Sequence, residues 1–233
     1  MKTFAIGDIH GAHKALVQCL ERSGFNYAKD ILIVLGDVVD GWSETPFCIE
    51  ELLKIRNMIY IWGNHDWWAN KWLQSGWTHP VWESQGGDAT KESYIQNGDL
   101  LVKHRDFFKV ARFYHIDDNR LFVHGGIPPR LIQKSIRDQE PNDLMWDREL
   151  YLKARWKHYR NPDFKYGDYS EIFLGHTSTV NVGDREPFKY CNIWNLDQGG
   201  GWEGKLSIMD VDTHEYWQSD IVGHIYKGIR GRS

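Results

Sequence analysis

The sequence predicts a single α/β domain whose chemistry sits at the ends of its strands, and three observations carry that prediction. Apolar, largely β-branched runs end in glycine followed by residues of metal-ligand type at 4–11 (FAIGDIHG), 31–41 (ILIVLGDVVDG) and 58–66 (MIYIWGNHD). Such continuous runs read as strands buried on both faces. Helix-periodic stretches separate the three, so consecutive βα units bring their loops to one sheet edge, where open α/β sheets hold ligands. The last part of the chain returns to strand patterns divided by turn signals, which predicts closure by antiparallel strands.

Taken in order, strand 3–6 leads through Gly7–Gly11 into a helix with Ala12, Ala15, Leu16, Cys19 and Leu20 on one face and Gly24 as its stop. Strand 31–35 should lie parallel beside the first. Thr45-Pro46 supplies an N-cap and a proline at the first helical position for a helix carrying Phe47, Ile49, Leu52 and Leu53. Strand 58–62 follows. From 67 to 112 glycine, tryptophan and polar residues alternate with weak helical patterns over 91–96 and 100–110, which predicts a small helical cap inserted over the strand ends. A hairpin is expected from strands 112–116 and 120–124 about Asp117-Asp118-Asn119. One helix over 143–160, a strand at 171–174 and closing strands at 190–196, 205–210 and 215–218 complete the chain. The basic tail 227–233 reads as a frayed terminus.

Composition narrows the function. At 233 residues the chain suits one domain better than two. A balance of 28 basic against 32 acidic residues, 28 − 32 = −4, argues against broad electrostatic binding to nucleic acid or anionic membranes. Cys19, Cys48 and Cys191 lack CxxC spacing and read as small buried residues, which favours a reducing compartment. A motif beginning at Gly7 leaves no room for a secretory leader, and no apolar run nears the roughly 20 residues that span a bilayer. The expected location is the cytoplasm.

The strand ends supply Asp8, His10, Asp37, Asn64, His65, Asp66, His124 and His176. Carboxylate, imidazole and amide donors without thiolate suit Mn²⁺, Fe²⁺ or Zn²⁺ in a catalytic site. Two neighbouring ions need one ligand with two oxygens to share, and Asp37 is central in order. Such a pair clamps a phosphoryl group, lowers the pKa of a shared water and neutralises charge in an in-line displacement. It does not protonate the leaving group. His65, followed by Asp66 as a partner that could orient it, is the expected general acid.

In order and approximate spacing, GDIHG (7–11), GDVVDG (36–41), GNHD (63–66), HGG (124–126) and GHT (175–177) resemble the calcineurin-like metallophosphoesterase superfamily, and most of all its phage and bacterial phosphoprotein phosphatases. The segment 195–210 (NLDQGGGWEGKLSIMD) is similar to the closing segment of that family. The resemblance implies a two-sheet mixed β-sandwich flanked by helices. It implies that Asp8, His10 and Asp37 bind one ion, manganese being the expected metal, and that Asp37, Asn64, His124 and His176 bind the other. It also implies His65 as acid with Asp66 as its partner.

The chain departs from the branch pattern GDxVDRG at Gly41, where the pattern has a phosphate-binding arginine. Arg148, in Trp146-Asp147-Arg148, matches the W-x-R motif of the phage-type members and is the expected remaining phosphate contact, with Arg130 or Arg185 as possible substitutes for the lost arginine. Six tryptophans crowd 62–82 and are expected mainly to pack the cap, with one or two at the mouth of the site. Trp42, directly after Gly41, is the expected aromatic substrate contact. The sequence therefore predicts a phosphomonoester hydrolase acting on phosphorylated protein or a small phosphoester. The alternative is a nucleotide-directed hydrolase cleaving a diadenosine polyphosphate or phosphodiester. A non-catalytic metal-binding scaffold is the reading from outside enzymology.

Overall fold

A computed structural model describes residues 1–229 and 231, and among these the chain forms two five-stranded sheets packed face to face with helices outside. Strands β1 (Thr3–Ile6), β2 (Ile31–Val34) and β3 (Asn57–Tyr60) pair in parallel, Thr3 opposite Ile31 and Ile31 opposite Asn57. Helix α1 (His13–Arg22) buries Ala15, Leu16, Cys19 and Leu20 and stops at Gly24, whose φ of 67° suits glycine. Helix α2 (Thr45–Leu52) begins with its proline in the first turn.

The region between β3 and β4 holds helices α3 (Asn64–Ser75), α4 (Pro80–Trp82), α5 (Asp88–Gln96) and α6 (Gly98–His104), then a 3₁₀ turn at Phe107–Val110. Of its tryptophans, Trp82 is fully buried, and Trp67, Trp72 and Trp77 lie against the same apolar cluster as β1 and β2. A chain of polar contacts, buried at Tyr94 and His104 and half-buried at Glu50, runs from Tyr94 to His104 (2.7 Å) and from His104 to Glu50 (2.7 Å) and ties the region to α2.

The second sheet contains β4 (Tyr114–Asp117), β5 (Arg120–Val123), β6 (Glu171–Leu174), β7 (Lys189–Tyr190) and β8 (Ile193–Asn195), in the order β4-β5-β6-β8-β7. The β4–β5 turn places Asp118 and Asn119 at φ 46° and 58°, the two left-handed positions of a type I′ hairpin. Strand β9 (Ser207–Asp210) closes the first sheet against β1, and β10 (Tyr216–Gln218) pairs with β9, both antiparallel.

Strand alternation explains how one chain fills two cores. Phe4, Ile6, Leu32 and Val34 face the helices, whereas Ala5, Ile33 and Leu35 face the opposite sheet and meet Phe122, Phe173 and Leu196. The Phe122 and Phe173 rings stack there with centroids 4.9 Å apart.

Three expectations need correction. The helix over 143–160 is two, α7 (Pro141–Trp146) and α8 (Glu149–His158), because Asp147 adopts an extended ψ of 132° and its Oδ2 accepts the Leu150 N–H at 2.9 Å. A buried capping carboxylate restarts the helix and turns Arg148 outward. The run 190–196 is also divided, by Cys191 at φ 57°, and β8 pairs in parallel with β6, so the closing strands are not all antiparallel. Finally, GNHD is no simple loop: Asn64 already lies in the first turn of α3. Of the basic tail, Arg230, Arg232 and Ser233 lie outside the described residues.

Truncating Phe173 to alanine empties the inter-sheet layer beneath the site. The expected loss is about 3–5 kcal/mol of unfolding free energy, read from the midpoint of urea denaturation at unchanged m-value.

Candidate metal centre

The strand ends converge as anticipated. Asp8 and His10 follow β1, Asp37 follows β2, Asn64 opens α3, His124 follows β5 and His176 follows β6, and all six side chains are buried. Ligand-capable atoms of Asp8, His10 and Asp37 lie within 4.8 Å of one another, and so do those of Asp37, His124 and His176. Asp37 belongs to both groups. Asn64 joins the second through its Oδ1, 3.1 Å from His124 Nε2.

Backbone strain holds this arrangement. His10, Asp37 and His176 all have positive φ (51°, 49° and 64°), an unfavourable region for these residues that sites retain when their surroundings enforce it. Two glycines leave room for the carboxylates: a Cβ on Gly63 would fall 2.1 Å from Asp37 Oδ1, and one on Gly175 2.1 Å from Asp8 Oδ1. His124 Nδ1 donates to the Leu35 carbonyl at 2.7 Å and His10 Nδ1 to that of Val39 at 3.0 Å. A carbonyl can only accept, so each ring keeps its proton on Nδ1 and turns Nε2 into the cluster, as metal-binding imidazoles do.

The cluster is chemically incomplete without a cation. Asp37 Oδ2 and His176 Nε2 are buried and have no hydrogen-bond partner. His124 Nε2 faces two acceptors, Asn64 Oδ1 and Asp37 Oδ2, the latter at 3.4 Å. Burial, with Asp197 nearby, pushes the Asp8 carboxyl well up. Burial acts on Asp37 in the same sense, but His124, His65 and His10 outweigh it and hold that carboxyl ionised. His124 is opposed by burial yet raised to about 9 by Asp37, whereas burial, His124 and Arg148 keep His176 neutral. A proton on His124 thus stands where a metal ion would satisfy every donor at once. The residues fit a pair of divalent ions.

Two of the expected contacts are rearranged. Asp66 is not the partner of His65: its carboxylate accepts the backbone N–H groups of Asp37 (2.7 Å), Val38 (2.9 Å) and Gly63 (3.1 Å). Neighbours on a helix point to different sides, so Asp66 cannot turn back to the ring beside it. His65 Nδ1 instead meets Asp40 Oδ2 at 2.7 Å, a contact supplied by GDVVDG that sequence adjacency concealed. Trp42 likewise lies apart from the groove that holds Arg148. It is 3% exposed, donates Nε1–H to the Gly200 carbonyl and stacks on Tyr226 at 5.0 Å.

The aromatic rim comes from elsewhere. Trp68 packs edge-on against His65 (5.4 Å) and against Trp146 (5.0 Å), and Trp146, 40% exposed, lies edge-on to His176 (5.8 Å). Next to it Arg148 donates Nη1–H to the His176 carbonyl at 2.7 Å, which pins the guanidinium beside the centre. Arg130 lines the same surface groove as Trp146 and Arg148, whereas Arg185 borders a different one with Lys205 and Gln218. At Gly41 no side chain replaces arginine. Its φ is 100°, and its N–H donates to the Gly86 carbonyl at 3.2 Å.

Residues 1–209 match the sequence family of calcineurin-like phosphoesterases. The chain belongs to that family. A symmetrical bis(5′-nucleosyl)-tetraphosphatase of Pseudomonas entomophila is 33% identical over 94% of both chains, and one of Neisseria meningitidis is 24% identical over 97% of this chain and 98% of its own. Among solved structures, a protein described as a candidate diadenosine tetraphosphatase superposes with a TM-score of 0.65 at 15% identity, covering 99% of this chain and 93% of its own. A serine/threonine phosphatase of Saccharomyces cerevisiae gives 0.56 at 15% identity, covering 94% and 80%. At such identities the structures speak for the fold alone. The phosphoesterase is thus a hydrolase of phosphoesters, with groups able to hold metal ions that share Asp37.

Metal analysis after dialysis against Mn²⁺ should find two ions per chain in the phosphoesterase and fewer than one in Asp37→Asn, because both groups lose a ligand. Binding should also release protons at pH 7, since His124 stays protonated up to about 9 without metal and must lose that proton to coordinate. Calorimetry in two buffers of different ionisation enthalpy measures the release, and affinity should fall as pH is lowered.

Proposed function

We propose that the protein hydrolyses a phosphoanhydride within a dinucleoside polyphosphate, with two divalent ions, manganese the preferred pair. Asp8, His10 and Asp37 would hold one ion, and Asp37, Asn64, His124 and His176 the other. The observation that carries this reading is the likeness to symmetrical bis(5′-nucleosyl)-tetraphosphatases over nearly the whole of both chains. Two features of the site support it over the phosphoprotein reading. The arginine of GDxVDRG is absent, and the rim offers the indoles of Trp68 and Trp146, on which a nucleobase could stack.

When bound, the two ions would polarise the phosphoryl group and provide the nucleophile at neutral pH. The chain's own residues do the rest. Arg148, held beside the centre by the His176 carbonyl, would contact non-bridging phosphate oxygens. Asp40 accepts from His65 Nδ1, so the ring delivers its proton to the leaving oxygen from Nε2. Asp66 holds the Asp37 backbone in its strained conformation and takes no part in proton transfer. The three cysteines are buried and unpaired, which supports a place in a reducing cytoplasm.

With Mn²⁺ supplied, diadenosine tetraphosphate, p-nitrophenyl phosphate, its bis ester and a phosphoserine peptide should be compared side by side. The tetraphosphate is expected to give the highest kcat/KM and to yield two molecules of ADP. Preferred turnover of the peptide would restore the phosphoprotein reading and overturn this one. Within aryl esters, His65→Asn should slow phenyl phosphate by about 10²–10⁴-fold and p-nitrophenyl phosphate by less than about tenfold, since only the poorer leaving group needs the proton.

A further inference from the structure

Beyond α3, the region between β3 and β4 reaches the site through Asp40, by way of segment 80–96. Asp40 is fully buried, and its carboxylate meets three side chains: His65 Nδ1 (2.7 Å) and Trp82 Nε1 (2.7 Å) at Oδ2, and Thr90 Oγ1 (2.8 Å) at Oδ1. Thr90 Oγ1 also accepts the Asp40 backbone N–H at 2.9 Å. His65 belongs to the metal-binding edge, whereas Trp82 and Thr90 come from α4 and α5.

The contact is built to close tolerances. The turn at Glu83–Gly87 lies between the Asp40–Gly41 backbone and the Trp82 indole. A Cβ on Gly86 would fall 2.5 Å from Gly41 N, and one on Gly87 2.5 Å from the Trp82 ring. Thr90 is fully buried, like Trp82. Any buried carboxylate needs donors, so satisfaction alone could explain the indole and the hydroxyl. The distribution of the bonds does more. Oδ2 is shared between the imidazole and the indole, and Oδ1 is held by the hydroxyl, so the carboxylate plane has one orientation and the ring bonded to it inherits that orientation. Asp40 itself sits at φ 68°, so its backbone has no relaxed alternative nearby.

We propose that Trp82 and Thr90 are positioning residues: by fixing the Asp40 carboxylate they hold the His65 ring in register with the metal centre, which makes the inserted region over 80–96 a working part of the site. The proposal rests on the acid role given to His65 above. It accounts for the paired glycines at 86–87 and for the burial of Trp82 over Asp40, which cap packing alone does not require.

The test uses the full-length, Mn²⁺-loaded protein with Trp82→Phe, Thr90→Val and Thr90→Ser, beside Tyr94→Phe, which removes a buried hydroxyl of the same region that bonds His104 and not Asp40. Trp82→Phe and Thr90→Val should lower kcat on phenyl phosphate by about tenfold, and on p-nitrophenyl phosphate clearly less, with KM and metal content unchanged. Thr90→Ser should restore the rate, and Tyr94→Phe should leave the ratio of the two esters as in the parent. In the metal-free protein, the downfield proton resonance of His65 Nδ1–H should move upfield in Trp82→Phe; this readout needs no activity. Equal losses on the two esters, or an unmoved resonance, overturn the proposal. His65→Asn run in parallel separates the causes. If it alone discriminates between the esters, the acid role stands and the positioning role fails; if it does not discriminate, both fall.

Discussion

The site depends on a carboxylate that binds no metal in any reading of it. Asp66 accepts the N–H groups of Asp37 and Val38, just past β2, and of Gly63, at the start of α3, and so joins two strand ends through one buried group. Asp37 at φ 49° is unfavourable in isolation, by about 1–3 kcal/mol for a residue of this kind. The hydrogen bonds to Asp66 make that conformation the one in which the loop's donors are satisfied. Burial and the nearby Asp37 push the Asp66 carboxyl up to about 7, so even this anchor is held against electrostatic resistance. His65 N–H completes the tie by donating to Asp37 Oδ1 at 2.9 Å, which leaves Oδ2 for the cluster.

The large features of the fold were legible because each is written locally. A β-branched run that stops at Gly-Asp or Gly-Asn marks both a strand and the chemistry at its end, and Asp8, His10, Asp37, Asn64, His124 and His176 all assemble as that pattern implies. The errors share a different cause. Adjacency in sequence is not proximity in space for Asp66 and His65, nor for Trp42 and the groove of Arg148. On a helix, adjacent side chains diverge by about 100°, and in a loop a large aromatic goes where burial is greatest. Trp42 therefore reaches Gly200 and Tyr226, and the rim falls to Trp68 and Trp146. Helix α3 begins at Asn64 without a polar side chain at its Gly63 cap, so no capping residue announced it. The break at Asp147 was hidden in a helical pattern, and it is what delivers Arg148 to His176.

The electrostatics of the centre favour cations over any arrangement of protons. Asp8, Asp37 and Asp197 are almost wholly buried together, and Coulomb repulsion at such low local dielectric raises the energy of every doubly ionised state. Protonated His124 offsets one of these charges, while burial and the positive charges of His124 and Arg148 keep His176 neutral. A divalent ion bonded to imidazole and carboxylate neutralises more charge than a single proton and leaves Nδ1 of His124 and His10 still bonded to Leu35 and Val39.

The charge around a phosphate-binding site decides which kind of phosphate it can hold. A terminal phosphate monoester carries close to two negative charges and gains most from paired arginines around it. A phosphate inside a polyphosphate chain carries about one and leaves the remainder of the molecule to be held elsewhere. This chain has spent the first option: the position after Asp40 is a glycine at φ 100° whose backbone is hydrogen-bonded to the inserted turn. The same turn lies between Trp82 and the helix that carries Thr90, and both side chains bond the Asp40 carboxylate. The position without an arginine and the turn packed on the Asp40–Gly41 backbone thus meet at one place in the fold, and Arg148 and Arg130 line a groove beside the indole of Trp146. That groove also carries Asp143, Asp147 and Glu149, so its two guanidinium groups lie among carboxylates rather than forming a purely cationic wall.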